Sequence, residues 1–105
     1  MLGYETHLYY YWLDSPEMAI RRVALRVKSG GHFVPDATIR QRYARSAKNF
    51  FELYQEHADW WEVYDNTYGQ RELIGCGQRG DDQAVEELRW SEFRRSAGYD
   101  SDDTN

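Results

Sequence analysis

The stretch Glu5–Leu13, ETHLYYYWL, is nearly continuous in β-favouring aromatics and runs straight into Asp14-Ser15-Pro16-Glu17. An uninterrupted apolar run of this length suits a strand covered on both faces. The residues behind it begin a helix. Ser15 can cap, Pro16 fits the first helical position where no N–H is needed, and Glu17 complements the positive helix end. A covered strand that hands over directly to a helix is the opening of a βα unit. The expected fold class is therefore α/β.

The first helix is expected to run to about Ser29, where Gly30-Gly31 stops it. His32 to Pro35 forms a short connection. Asp36 is expected to cap a second helix, Ala37 to Glu56, with Ile39, Tyr43, Ala47, Phe50 and Tyr54 as its inward stripe. Trp60 to Tyr64 reads as a second strand, and Asp65 to Gly69 has turn chemistry. Glu72 to Ile74 suggests a short third strand. Asp81 or Asp82 would cap a last helix ending near Ser96, with Val85, Leu88 and Trp90 inward.

Strand, two helices, strand is the order of a crossover between parallel strands. The first strand reads as central, yet nothing precedes it to pair with it. The chain is thus expected to be part of a larger α/β domain or to need a partner. Residues 1–97 form the domain, and 98–105 (GYDSDDTN) are expected as a disordered acidic tail.

A chain of 105 residues holds one core. Its mean hydropathy of -0.90 excludes a membrane span. MLGYETHLYYYWL has no basic leader segment, and the single Cys76 forms no internal disulfide, so the cytoplasm is the expected compartment.

The formal net charge of -5 argues against bulk nucleic-acid binding, but the charge is unevenly placed. Between residues 21 and 48 stand eight bases, Arg21, Arg22, Arg26, Lys28, Arg40, Arg42, Arg45 and Lys48, against one acid, Asp36, giving +7. The remainder holds five bases and seventeen acids, giving -12. A basic island in an acidic chain points to a local anionic ligand.

On the first helix Ala19, Val23 and Val27 face inward, with Arg22 and Arg26 beside them. On the second, Arg42 and Arg45 share a face with Asn49, and Arg40 lies on the other flank. A short Gly-Gly connection keeps the two helices close, so several guanidinium groups can converge. Guanidinium forks match phosphate oxygens, and phosphoryl transfer needs such charge where the transferred group gathers it. A solvated basic face that serves solubility and surface ion pairs would have the same composition.

Several separate elements then occur in order. They are Ser15-Pro16-Glu17, Arg22-Val23, Arg26-Val27, Gly30-Gly31-His32, Val34-Pro35, Ile39 with Arg42, and Tyr64-Asp65-Asn66. Over roughly residues 8 to 75 the chain resembles the C-terminal half of a zeta-toxin-like P-loop kinase of the Gly-Gly-His lid type. The resemblance implies a partial P-loop-kinase-like fold, with parallel strands joined by a two-helix lid crossover and a C-terminal helix behind them. It implies a lid that closes over ATP. Arg26 and one of Arg40 or Arg42 would touch the transferring phosphate, with Arg42 favoured, and Arg22 would support them. His32 would reach phosphate or acceptor, and Asp65 and Asn66 would lie near the nucleotide base. ATP and Mg²⁺ are the implied cofactors, and a small molecule the acceptor.

No G-x-x-x-x-G-K-[ST] occurs in the chain, so the phosphate nest, its Lys and the Mg²⁺-binding hydroxyl are missing, as is the family's catalytic acid. Activity alone is not expected. Such a chain would be a fragment, a truncated product or one half of a split enzyme. It would pair with an N-terminal kinase half or, through its first strand, in a homo-oligomer. The alternative is a non-catalytic protein-interaction remnant, and a nucleic-acid binder is the weakest reading.

Two further signals carry less. Gly75-Cys76-Gly77-Gln78-Arg79-Gly80 fits G-x-G-x-x-G, but Asp81 and Asp82 would repel a pyrophosphate there, so a flexible glycine loop is expected. His7, His32 and His57 lack metal-ligand spacing, and no metal site is expected.

Overall fold

The computed structural model describes residues 5–79 and 81–99. Their order is β1 (His7–Trp12), α1 (Pro16–Lys28), α2 (Asp36–Asn49), a π-helical turn (Phe50–Tyr54), α3 (Gln55–His57), β2 (Trp60–Asp65), β3 (Glu72–Gln78), β4 (Asp81–Ala84) and α4 (Glu87–Ser96). The strands form one mixed sheet in the order β1-β2-β3-β4. β1 and β2 run parallel, with His7 beside Trp60 and Trp12 beside Asp65, and the two helices between them make the expected crossover. β2, β3 and β4 continue antiparallel.

β1 is an edge strand of this sheet, not the central one expected. Its side chains alternate, as any strand's must. Leu8, Tyr10 and Trp12 turn to a core built with Trp61, Val63 and Ile74 from the sheet and Ala47, Phe50, Phe51, Trp90, Phe93 and Ala97 from the helices. Tyr9 and Tyr11 lie on the other face and stay nearly half exposed, at 47% and 45%. The aromatic run therefore records two apolar faces, only one of which the described residues cover.

The helix starts differ in their chemistry. Ser15 caps α1 by accepting from the Met18 N–H at 3.3 Å, as expected. Asp36 is already the first residue of α2, behind Pro35, and gives no side-chain cap. The second helix is also not regular to its end. The π-turn at Phe50–Tyr54 slips the helical phase by about one residue, roughly 100°. Phe50 and Phe51 are both buried as a result, Tyr54 is left 47% exposed, and the inward position passes to Ala58.

The C-terminal third departs most from expectation. Asp81 and Asp82 cap no helix; they begin β4, paired to Gln78 and Gly77. β3 extends through Gln78, and the first two glycines of the G-x-G-x-x-G stretch sit inside it, so that part is no flexible loop. Gly80 lies outside the described residues. Val85 and Leu88 are exposed, whereas Trp90 and Phe93 are buried. Tyr99 packs on Phe51 at 5.1 Å between ring centroids, so packing continues past Ala97. Residues 100–105, most of the expected tail, lie outside the described residues.

The strand glycines are packing devices. A Cβ on Gly75 would stand 2.4 Å from the Trp90 ring, and one on Gly77 would stand 2.1 Å from the Asp81 carbonyl oxygen. Gly75 thus lets Trp90 lie flat against the sheet, where it stacks on Trp61 at 5.5 Å and 13°. Both Gly75→Ala and Gly77→Ala are expected to lose about 1–3 kcal/mol through overpacking. Urea unfolding of double variants separates the causes. Trp90→Leu is expected to recover part of the loss at Gly75 and none at Gly77, whose obstacle is backbone.

Candidate functional site

The last residues of β1 and the two crossover helices enclose a cleft of about 580 Å³. Tyr10, Tyr11, Trp12 and Leu13 follow one another along one wall. Because neighbouring side chains point to opposite faces, such a consecutive set means the cleft runs beside the outer edge of the strand. Ala19, Val23, Val34 and Ile39 make the interior apolar, Arg26 and Arg42 bring the positive charge, and His32 adds an imidazole. In α/β sheets the C-terminal ends of parallel strands are the usual ligand position.

Local sequence explains how Arg26, His32 and Arg42 come to line one cleft. Ser29 caps the end of α1, and Gly30 adopts φ +105°, a left-handed conformation suited to glycine. The Gly30 N–H then donates to the Val27 carbonyl at 3.0 Å, and the Gly31 N–H to the Arg26 carbonyl at 2.8 Å. This paired closure folds the chain back over the turn that carries Arg26 and delivers His32 to the same cleft. A Cβ at Gly31 would approach the Arg26 oxygen to 2.9 Å, so the second glycine is needed as well.

On α2, Ile39, Arg42, Tyr43 and Ser46 recur at helical spacing and all line the cleft. Tyr43 donates its hydroxyl to the Leu13 carbonyl at 2.5 Å, and the Tyr10 and Ser46 hydroxyls bond at 2.9 Å. These bonds tie the helix to the strand. Burial pushes the ionisation of both tyrosines up, so they remain neutral hydrogen-bonding groups at neutral pH.

The other expected site residues have different placements. Arg22 donates to the Asn66 carbonyl at 2.6 Å and the Thr67 carbonyl at 3.2 Å, clamping α1 to the turn after β2. Arg40 reaches Glu17 at 2.7 Å on the surface, and this contact holds the Glu17 carboxyl below its ordinary range. Asp65 is buried, accepts from the Thr67 N–H at 3.0 Å and from the Thr67 hydroxyl, and meets Arg89 at 3.2 Å. Asn66 contributes its carbonyl to Arg22. None of these four lines the cleft. The guanidinium groups of Arg26 and Arg42, by contrast, have no hydrogen-bond or ion-pair partner among the described residues.

Thr67 and Arg89 were not singled out in the sequence. The Thr67 hydroxyl accepts from the Asp14 N–H at 2.9 Å, so it joins the end of β1 to the turn after β2. The Asp-x-Thr spacing of a local side-chain turn was the available signal. Arg89 had none, because its partners Asp65 and Glu72 are distant in sequence.

A second organised surface occupies the uncovered sheet face. The Glu62 carboxylate accepts from Trp60 Nε1 at 2.8 Å and from the Tyr64 hydroxyl. Tyr11 stacks on Tyr64 at 5.6 Å, and the Arg71 guanidinium lies 5.6 Å from the Tyr11 ring centre. The Tyr64 bond, with help from Trp60, holds the Glu62 carboxyl below its ordinary range, and the same bond to Glu62 pushes Tyr64 up to about 12. Glu62 therefore loses its stabilising effect as pH falls through its lowered value. Tyr64 contributes fully below its ordinary value of 10.0 and loses the effect as pH rises through about 12. In a tyrosinate absorbance titration, Glu62→Gln is expected to move one ionisation from about 12 down toward 10.0.

Over 41 residues, 39% of this chain, the sequence is 39% identical to an uncharacterized protein of Haemophilus influenzae. The match covers 29% of that protein, less than a third of its length. No family model matches the chain, and no solved structure matches it. Among the described residues no helix is long and apolar enough to cross a membrane.

Proposed function

We propose that this chain is the phosphate-gripping lid half of a small-molecule kinase of the zeta-toxin-like, P-loop type, acting in the cytoplasm and inactive until a nucleotide-holding half is joined to it. The observation that carries this reading is the selective freedom of two guanidinium groups. Arg22 and Arg40 are spent on structural contacts, whereas Arg26 and Arg42 line one cleft with His32 and remain unpaired. Two free guanidinium groups beside an apolar cavity would neutralise the oxygens of a transferring phosphoryl group and hold it in place.

The cleft suits phosphate oxygens and does not suit Mg²⁺. It contains no carboxylate, and the Ser46 hydroxyl is already bonded to Tyr10. The metal, the phosphate nest and the catalytic acid would all belong to the other half, and no step through the metal is derived from these residues. The phosphate acceptor, a small molecule, would enter between the halves.

The uncovered aromatic face favours a second reading, a non-catalytic module that binds another protein. Calorimetric titration of ATP separates the two. The chain alone is expected to bind ATP weakly, and the same chain joined to a Walker-A-bearing half strongly. If neither binds, and Arg26→Ala with Arg42→Ala changes nothing, the kinase reading fails. A salt-sensitive complex with DNA or RNA but none with ATP would favour nucleic-acid binding instead.

A further inference from the structure

We infer that the outer edge of β1 is an interface for a second copy of this chain, joined by antiparallel β1–β1 pairing about a two-fold axis through Tyr9. The inference goes beyond the kinase reading and stands chiefly on the backbone of β1, whose C-terminal half also borders the cleft. The Thr6 carbonyl accepts from the Asp59 and Trp60 N–H groups at 2.9 and 3.2 Å, and the Trp12 carbonyl accepts from Asn66 at 2.8 Å. Backbone groups alternate sides along a strand, so the even-numbered residues of β1 bond to β2. His7, Tyr9 and Tyr11 must then direct their N–H and C=O groups to the opposite side. No strand pairs with that side among the described residues.

The two edges of the sheet are treated differently. β4, at the far edge, is short and begins Asp81-Asp82, and charge of this kind blunts pairing. β1 is HLYYYW, with no acidic residue, no Lys or Arg and no proline. A long aromatic edge of this kind is a template for another strand.

Self-pairing is favoured over a foreign strand by symmetry and charge. A two-fold axis through Tyr9 sets His7 opposite Tyr11 of the second copy and Tyr9 opposite itself. Every outward group of β1 is then paired, and both copies keep their helices on the same side of a continuous sheet. Leu8 comes opposite Tyr10, and both are now only partly buried against the core. The same pairing lays the Glu5 end of each strand against the Leu13 end of the other. That second end borders the cleft with unpaired Arg26 and Arg42 and with His32. Glu5 of each copy, now 3.2 Å from its own His7, therefore comes toward the two free guanidinium groups of the other, which outnumber the neighbouring Asp14, and this complementarity commits the edge to its own copy.

Sedimentation of the full chain across a wide concentration range is expected to show a dimer that dissociates on dilution. Tyr9→Pro removes only an outward N–H, which an edge strand tolerates, and is expected to give a monomer with an unchanged far-ultraviolet spectrum. Tyr9→Lys is the second variant, expected to do the same without altering the backbone. Register is read by oxidation in a Cys76→Ser background. Tyr9→Cys is expected to crosslink to its own copy, and Tyr11→Cys is not, unless His7→Cys is present. A wild-type chain that stays monomeric overturns the inference, as does a dimer that survives both Tyr9 variants or crosslinks through Tyr11→Cys alone. A monomer that takes up a foreign extended peptide on this edge overturns it too. Because the edge borders the cleft, phosphate binding through Arg26 and Arg42 is measured on the Tyr9→Lys chain, whose altered residue does not line the cleft, so either idea can fail while the other stands.

Discussion

Phe93→Ala is expected to lose about 3–5 kcal/mol of folding stability, the range for deleting a buried aromatic ring. Phe93 is fully buried and stands where helix and sheet meet. Its ring lies 5.0 Å from Phe51, 5.4 Å from Tyr10 and Trp90, 5.5 Å from Phe50 and 5.7 Å from Trp12. Stiff rings on several sides cannot collapse into the void, which places the loss toward the upper part of the range. A domain of this size has about 5–15 kcal/mol in total, so the variant approaches the unfolding threshold. Urea denaturation is expected to show a much lower midpoint with little change in slope. Phe93→Leu keeps most of the volume and is expected to lose far less. If Phe93→Ala loses under about 1 kcal/mol, the value of an ordinary substitution, α4 does not pack as described.

The second large effect concerns binding. Arg26→Ala and Arg42→Ala are each expected to weaken phosphate or ATP binding by about ten- to a hundredfold, as suits a lost charge-assisted bond of about 1.5–3 kcal/mol. Both side chains are exposed and unpaired, so folding stability is expected to stay within about 0.5 kcal/mol of the parent. Arg40→Ala breaks only the surface contact to Glu17 and is expected to leave both properties nearly unchanged. Arg22→Ala is expected to show the reverse pattern. It frees the Asn66 and Thr67 carbonyls and so loosens the turn after β2 more than it affects binding. Four arginines from one basic island would then divide into two that bind, one that clamps and one that does little. Equal effects at all four would point to diffuse charge instead of a site.

The sequence made the front of the molecule legible because its signals there are local. Ser15-Pro16 starts a helix by rules internal to a few residues, Gly30-Gly31 stops it, and charge spacing marked out the basic island from Arg21 to Lys48. The errors lie where distant contacts decide. Asp81 and Asp82 have the composition of a helix cap, yet pairing with Gln78 and Gly77 makes them a strand. Gly75 and Gly77 look like a loop until Trp90 and the Asp81 backbone fill the space above them. The π-turn was invisible because the regular stripe Ala47, Phe50, Tyr54 is equally consistent with an unbroken helix. Arg22 and Arg40 could not be told from their neighbours by sequence, because only the fold brings up Asn66, Thr67 and Glu17 to engage them.

The two carboxylates at the start of β4 bear on how large an assembly can grow. Edge-to-edge association becomes a fibre when a sheet offers two receptive sides, since each addition exposes a new one. Here one side is aromatic and the other opens on Asp81 and Asp82. Two copies that meet through the aromatic sides present only acidic margins outward, and those repel. Growth would end at the pair, and the aspartates that failed as a helix cap would act as a terminator.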